Sequence, residues 1–448
     1  MKQSIRVAII GAFLSVCLSC AAADLSGNWV GQIAGSGEPQ YVRVSLKVEG
    51  QRITGNWGSS KMEGTLHGDE LSLALIGDTG ASAGSLTAKV SGDTLTGTGT
   101  LAGGSRGDRP GMGFGGMGGE RGGVAARDVS FTMTRPRIAP ATPRDLHFEP
   151  EDFFGTYSAL NKPALTIFPG DVVHTWTADA SGVDAKGVRH RGGDSNIGPF
   201  FVEGALPGDT LVVHLLKVRT NRPTARQATR MNAHAVTAAY LVGAQYDGAV
   251  TGEWTLLPEK GIAVPTHPSE HMKNYSVPLK PMLGCISVAP AGDEQFRGGD
   301  LGAFGGNMDY NDNVEGTTLY FPVFHPGALL GMGDGHAAMG DGEVTGSAIE
   351  TSMDVDFSVE VIPGDSSGQV RAETADYLIA FGITGSVPES IQVATSQLAT
   401  WIKQKYGLND SEVAVLFAST LKYDVTELVD AKYDVVAKVP KSVLSTMK

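Results

Sequence analysis

The chain has 448 residues, 41% of them hydrophobic, and a net charge of −13. That length argues for two domains, and that charge excludes nucleic acid and an anionic membrane surface as partners. Sixty glycines favour many turns and a mainly β fold.

Lys2 and Arg6 precede an apolar run over residues 7–18, and Ala21-Ala22-Ala23 follows as a small-residue cleavage site. This reads as a secretory signal over 1–23, too short to span a bilayer, with Asp24 as the first mature residue. The expected location is periplasmic or secreted, with lipid attachment through Cys20 as an alternative and no integral membrane segment after signal removal. Cys285 alone then remains in the mature body and has no internal partner for a disulfide.

Residues 24–136 read as a small antiparallel β barrel or sandwich. Three turn-plus-strand units recur at 49–57 (EGQRITGNW), 67–75 (HGDELSLAL) and 91–99 (SGDTLTGTG), each opening on a Gly-polar turn and continuing in alternation. The pattern resembles lipocalin-like modules of exported bacterial proteins. Residues 103–123 hold 11 glycines in 21 positions and read as a disordered loop; they lack the lysine and following helix of a phosphate-binding loop. A Pro-rich linker is expected at 137–150.

The larger domain, 151–448, opens with two Pro-Gly-Asp turns feeding strands at 169–180 and 207–218. Residues 352–364 alternate strictly, putting Met353, Val355, Phe357, Val359 and Val361 on one face. Ile391, Ala394, Leu398, Trp401 and Ile402 form a helical stripe closed by Gly407, and Asn409 or Asp410 caps a second helix to about Thr420. The domain is therefore β-rich with a short α/β C-terminal part.

Between two of its strands lies a stretch, 305–350, in which Asp309, Asp312, Glu315, Asp334, His336, Asp341 and Glu343 are set among glycines. Buried charge is costly unless paired or metal-bound, so this density of acids beside apolar runs points to a cation site. The segments NIGPFFVEGALPGDTL, PMLGCISVAPA and FGGNMDYNDNVEGTTLYFPVFHPGALLGMGDGHAAMGDGEVTGSAIE resemble the acetamidase/formamidase family over most of 151–448. The resemblance implies a metal-dependent hydrolase of short amides on a largely β architecture. The chain departs from the family's pattern at Met339, where Gln is frequent, and at Asn196-Ile197-Gly198-Pro199.

His336 is the expected imidazole ligand, with Asp309, brought close by Gly305-Gly306, and Asp341 as carboxylate ligands. Asp341 and Glu343 are two apart, so an extended backbone would aim both into one pocket; Glu343 is assigned general acid/base duty. Asp179, at a strand end, and Glu203, among apolar residues, are further catalytic candidates, and His174 a weaker one. Asp312 and Glu315 read as solvated turn residues. Cys285, in an apolar run, reads as core packing rather than a nucleophile. The expected cofactor is Zn2+, with Ca2+ or Mg2+ as oxygen-preferring alternatives. The expected partner is a small linear amide, cleaved to a carboxylate and ammonia; assembly as a homodimer is left open. The competing readings are an envelope binding protein on a degenerate scaffold and a hydrolase of cyclic or larger amides.

Overall fold

A computed structural model describes residues 25–35, 38–102 and 126–447. The signal reading at 1–23 and the Gly-rich segment at 103–123 lie outside the described residues. The chain divides into two compact units, one ending at Arg135 and the other running from Pro136 onward. No helix among the described residues is long and apolar enough to cross a membrane.

The first unit is a closed eight-stranded antiparallel barrel. Its strands are Gly27–Ala34, Gln40–Glu49, Arg52–Trp57, Ser60–His67, Glu70–Ile76, Ser82–Ser91, Thr94–Leu101 and Arg127–Thr134, each paired with the next in sequence. The last strand pairs back on the first, with Ile33 opposite Phe131. Gly50, Gly68 and Gly92 take left-handed φ at the tight turns that the repeated Gly-polar signals announce. Alternation sends Trp29, Leu46, Ile53, Leu71, Leu73, Leu86, Leu95, Phe131 and Met133 inward, where they fill the barrel.

The second unit is built on two large sheets. A six-stranded sheet has the order Leu165–Ile167, Asn196–Val202, Leu330–His336, Met282–Ser287, Gly305–Asn307, Leu301–Gly302. A nine-stranded sheet has the order Lys422–Glu427, Tyr433–Pro440, Tyr377–Thr384, Arg371–Glu373, Thr318–Pro322, Thr210–Thr220, Met353–Ile362, Val172–Thr177, Asp145–His147. The main core joins them: Ile167, Val202, Ile286 and Met332 from the first pack in one cluster with Val213, Phe321, Val355, Phe357 and Phe381 from the second. The edge strand Asp145–His147 lies inside the stretch expected as a linker. Arg144 anchors it, donating from its backbone and side chain to Asp171 at 2.6 to 3.0 Å.

Strand Tyr377–Thr384 shows how alternation serves two layers. Ile379, Phe381 and Ile383 enter the main core, while Leu378 and Ala380 meet Ala394, Leu398 and Ile402 of helix Val387–Tyr406. Ser386 caps that helix at its start and Gly407, at φ +70°, at its end. Helix Asp410–Thr420 follows through a capping box of Asn409 and Glu412.

Candidate functional site

Strand Leu330–His336 is buried throughout and lies at the middle of the six-stranded sheet. Its alternate residues Gly331, Gly333 and Gly335 leave no room for a side chain. A Cβ at Gly333 would stand 2.4 Å from Ser195 O, and one at Gly335 2.4 Å from Met353 Cγ. This tight backing holds Asp334 and His336 at the strand end. Next to it, strand Met282–Ser287 pairs with Gly305–Asn307, and the chain delivers Asp309 two residues later.

The side chains of His336 and Asp309 are 0% exposed. Four carboxylate oxygens surround His336 Nε2: Asp334 Oδ1 at 3.2 Å, Glu350 Oε2 at 3.3 Å, and Asp309 Oδ1 and Glu343 Oε1 each at 3.9 Å. Asp309 Oδ1, Asp334 Oδ1, Glu350 Oε2 and His336 Nε2 all lack a hydrogen bond of acceptable geometry. Buried polar atoms left in that state are costly. Donors about 2.1 Å from a shared ion would stand roughly 3–4 Å apart, the separations found here.

The opposite oxygens of these carboxylates are fixed. Glu350 Oε1 accepts from Ala348 N at 2.8 Å and Ser347 Oγ at 3.2 Å. Asn307 Nδ2 donates to Asp309 Oδ2 at 2.6 Å and to Asp430 Oδ2 at 2.9 Å. Glu427 Oε1 accepts from the amides of Val429 and Asp430, leaving Oε2 without a partner. Donor atoms lie within 4.8 Å of one another in three overlapping sets: Asp309, His336, Glu343; Asp334, His336, Glu350; and Asp309, Glu427, Asp430. Gly284 completes the enclosure, because a Cβ there would sit 2.4 Å from both Asp309 Oδ1 and Asp334 Oδ2. These residues fit a divalent cation in donor type, convergence and unsatisfied valence.

Backbone strain is concentrated at the same place. Six described non-glycine residues have positive φ, and four are acids of this region: Asp194, Asp309, Asp334 and Glu343. Such conformations cost on the order of 1–3 kcal/mol each and persist where the surroundings dictate them, often at active sites.

The electrostatics follow from burial. Burial, then the charges of Glu343 and Asp334, pushes Asp309 well above the usual carboxylate range. Burial likewise raises Glu343 and Glu350 against the opposing pull of His336. Burial pushes Asp194 and Glu427 up to about 7 and Asp430 to about 6. At Asp334 burial also acts upward, but the charge and hydrogen bonding of His336 outweigh it and hold the group low. Burial would depress His336, yet Glu350 and Asp334 raise it well above its ordinary value. Without a cation the cluster therefore keeps protons.

The structure thus brings together His336, Asp309 and Glu343 as expected and adds Asp334, Glu350, Glu427 and Asp430. It does not bring in Asp341, which is exposed and accepts from Asn311 Nδ2 at 2.7 Å. The argument that residues two apart share a face needs an extended backbone; Gly342, at φ +77°, turns the chain between Asp341 and Glu343. Asp179 is buried but spent on structure. It pairs with Arg222 and accepts from Ser181 Oγ at 2.8 Å and Val183 N at 2.9 Å. Glu203 accepts from Arg137 N at 3.2 Å, in the turn after strand Asn196–Val202. His174 lies between Asp145 and Asp356, at 2.6 and 3.0 Å. Asp312 pairs with Lys280, and Glu315 with Arg219. Cys285 is buried in its apolar strand, but its Sγ donates to Asn307 Oδ1 at 2.7 Å, one residue's contact from Asp309.

Glu350 was legible only as the last residue of the acid-rich string. Glu427, Asp430 and Asp194 stand far from it in sequence, and no local pattern marks them.

Comparison with known proteins bears on this arrangement. Residues 302–395 match the model of the Acetamidase/Formamidase family. An acetamidase of Mycolicibacterium smegmatis is 26% identical over 215 residues, 37% of this chain and 53% of that protein. A formamidase of Methylophilus methylotrophus is 29% identical over 207 residues, 37% of this chain and 51% of that protein. The chain thus spans about half the length of the curated relatives it matches. Among solved structures, an acetamidase from Yersinia enterocolitica superposes with a TM-score of 0.58 at 25% identity, covering 69% of this chain and 96% of that one. A recombinant predicted acetamidase/formamidase from Thermoanaerobacter tengcongensis gives 0.57 at 27%, covering 68% and 98%.

Proposed function

We propose, from its similarity to the acetamidase/formamidase family, that the second unit of this chain is a metal-dependent hydrolase of small linear amides. The observation that carries the reading is the ring of four carboxylate oxygens, from Asp309, Asp334, Glu343 and Glu350, around His336 Nε2 at 3.2 to 3.9 Å. A cation held there, zinc in our reading because of the imidazole, would supply Lewis-acid polarisation of the amide carbonyl and acidify water. His336, Asp334, Glu350 and Asp309 would hold it. Asn307 orients Asp309 through the 2.6 Å hydrogen bond. Glu343 is raised by burial and moves protons: it takes one from water as oxygen adds to the carbonyl carbon. It then delivers that proton to nitrogen as the C–N bond breaks, because an amide anion cannot leave unprotonated. A carboxylate and ammonia result. The sealed surroundings of the cluster exclude bulk water and strengthen each of these interactions. The amino-terminal signal reading would place this activity outside the cytoplasm, which cell fractionation tests.

The test is metal analysis of the purified protein together with ammonia release from formamide and acetamide. Removing the cation with EDTA is expected to abolish ammonia release, and adding zinc back to restore it. Full turnover by protein shown to be metal-free would rule the reading out.

A further inference from the structure

We propose that the second unit binds two divalent cations, the further one held by Asp309, Glu427 and Asp430 beside the cation at His336. This goes beyond the amide-hydrolase reading and does not depend on which amide is cleaved.

Hydrogen bonds between distant segments put the three carboxyl groups together. Thr426 Oγ1 donates to Met308 O at 3.2 Å, and Gly342 N donates to Thr426 O at 3.1 Å. The end of strand Lys422–Glu427 is therefore clamped between the segments that carry Asp309 and Glu343. Donor oxygens of Asp309, Glu427 and Asp430 then lie within 4.8 Å of one another. Asn307 Nδ2 reaches both Asp309 Oδ2, at 2.6 Å, and Asp430 Oδ2, at 2.9 Å. Its Oδ1 accepts from Cys285 Sγ at 2.7 Å, which fixes the amide. One neutral amide thus holds two acids in place and balances the charge of neither.

What this group lacks is positive charge. Glu427 and Asp309 are both 0% exposed and stand within hydrogen-bonding reach of each other. Two ionised carboxylates have no proton to share, and Glu427 Oε2 and Asp309 Oδ1 are without a hydrogen-bond partner. Glu427 Oε1 is already taken up by the amides of Val429 and Asp430, so Oε2 is the oxygen left for a ligand. Among the described residues no lysine or arginine pairs with any of the three acids, and His336, 3.9 Å from Asp309 Oδ1, belongs to the first site. Asp434, opposite Glu427 in the strand pair, is a further buried acid rather than a cation. One divalent ion at His336 cannot balance Asp309, Asp334, Glu343, Glu350, Glu427 and Asp430 together, and buried charge left unbalanced is costly. A second ion corrects this. Its donors are all carboxylate oxygens, which suits a hard cation such as Mg2+ or Ca2+, whereas the imidazole suits zinc. Asp309 belongs to both donor sets and would bridge the two ions, the arrangement of two-metal hydrolytic sites.

The test is element analysis of the full chain, stripped with EDTA and dialysed against zinc together with Mg2+ or Ca2+, with no substrate present. Two divalent ions per chain are expected, one of zinc and one of Mg2+ or Ca2+. Glu427→Gln and Asp430→Asn each keep an oxygen for the hydrogen bonds accepted there. Each is expected to weaken binding of the second ion by about 100-fold or more in calorimetric titration, while one zinc per chain remains. Retained zinc also shows that the variant folds. If Glu427→Gln fails to fold, Asp430→Asn, at a half-buried position, decides alone. A single ion per chain in the parent, or a second equivalent that survives both substitutions, would overturn the inference while leaving the zinc hydrolase reading standing. Two zinc ions with no Mg2+ or Ca2+ would overturn the assignment of the site to a hard cation. One Mg2+ or Ca2+ that Asp430→Asn abolishes, with no zinc bound, would instead uphold this site and sink the reading at His336.

Discussion

The barrel buries one face of its strands and the six-stranded sheet of the second unit buries both faces of its central ones, and the two fill their buried space with opposite chemistry. Inside the barrel, Trp29, Ile53, Leu95 and Met133 are 0 to 1% exposed, and no charged residue is buried among the described residues of that unit. In the second unit Asp309, Asp334, His336, Glu350, Glu427 and Asp434 are all buried. The same alternation rule could have supplied apolar residues at these positions. Burying acids costs several kcal/mol each unless something pairs with them, so their gathering at one place is a demand of chemistry. The strained backbone at Asp309, Asp334 and Glu343 belongs to the same demand.

Breaking the comparison at its centre gives the largest effects. His336→Ala is expected to remove the bound cation, a loss beyond the roughly 10–100-fold in metal affinity that follows removal of a residue merely orienting a ligand. Metal analysis and ammonia release should fall together. Glu343→Gln is expected to lower kcat by about 10²–10⁴-fold with little change in fold. A kcat within a few-fold of the parent would take the proton-transfer role from Glu343. Gly284→Ala comes next: its new Cβ, 2.4 Å from two site carboxylates, should weaken cation binding by about 10–100-fold, read by metal titration.

In the barrel a comparable change should act on stability alone. Trp29→Ala removes a buried ring that donates to Leu25 O at 3.0 Å and lies against Arg135. It is expected to cost about 3–5 kcal/mol in the thermal transition of that unit while amide turnover persists. Loss of turnover in a variant whose second unit remains folded would assign the barrel a part in the chemistry.

The elements were legible wherever burial imposes a period. Met353–Ile362 alternates, and Met353, Val355, Phe357 and Val359 are all buried. The first helix ends at Gly407 and the second begins after Asn409, where the sequence predicts. His336, Asp309 and Glu343 were legible because glycines and acids crowd one stretch. Glu427 and Asp430 were not, because they reach the cluster from the strand Lys422–Glu427 and the turn after it, and a bridge such as Gly342 to Glu427, between stretches far apart in sequence, leaves no local mark. Asp179 and Glu203 misled for a related reason. An acid beside apolar residues signals burial, and burial is served equally by Arg222 or by the backbone of Arg137.

The pH dependence of the metal-free protein sharpens the contrast. Asp194 and Glu427, at about 7, and Asp430, at about 6, sit above their ordinary values, as do Asp309, Glu343 and Glu350. Between about pH 4, where these acids ionise in the unfolded chain, and pH 7 the folded state holds more protons. Stability therefore falls as pH rises through that window. His336, raised in the fold, contributes in the same direction at higher pH; Asp334, held low, loses its contribution only as pH falls below the window. The Tm of EDTA-treated protein is expected to drop from pH 5 to pH 8, and added zinc to raise Tm more at pH 8 than at pH 5, since a cation competes with those protons. A Tm that rises over this range without metal would contradict the buried-acid account.

The smallest expected effect decides between the local pattern and the folded geometry. Asp341 stands two residues from Glu343, and on an extended chain the two would serve one ion. The turn at Gly342 instead leaves Asp341 exposed, on Asn311 at the surface. Asp341→Asn keeps the oxygen that accepts from Asn311 and changes only an exposed charge. It is expected to shift stability by no more than about 0.5 kcal/mol and to leave cation content and kcat/KM unaltered. If Asp341→Asn lost the cation as His336→Ala does, the loop at 340–346 would have to close over the site in the working enzyme. The carboxylate ring around His336 would then be only part of the coordination sphere.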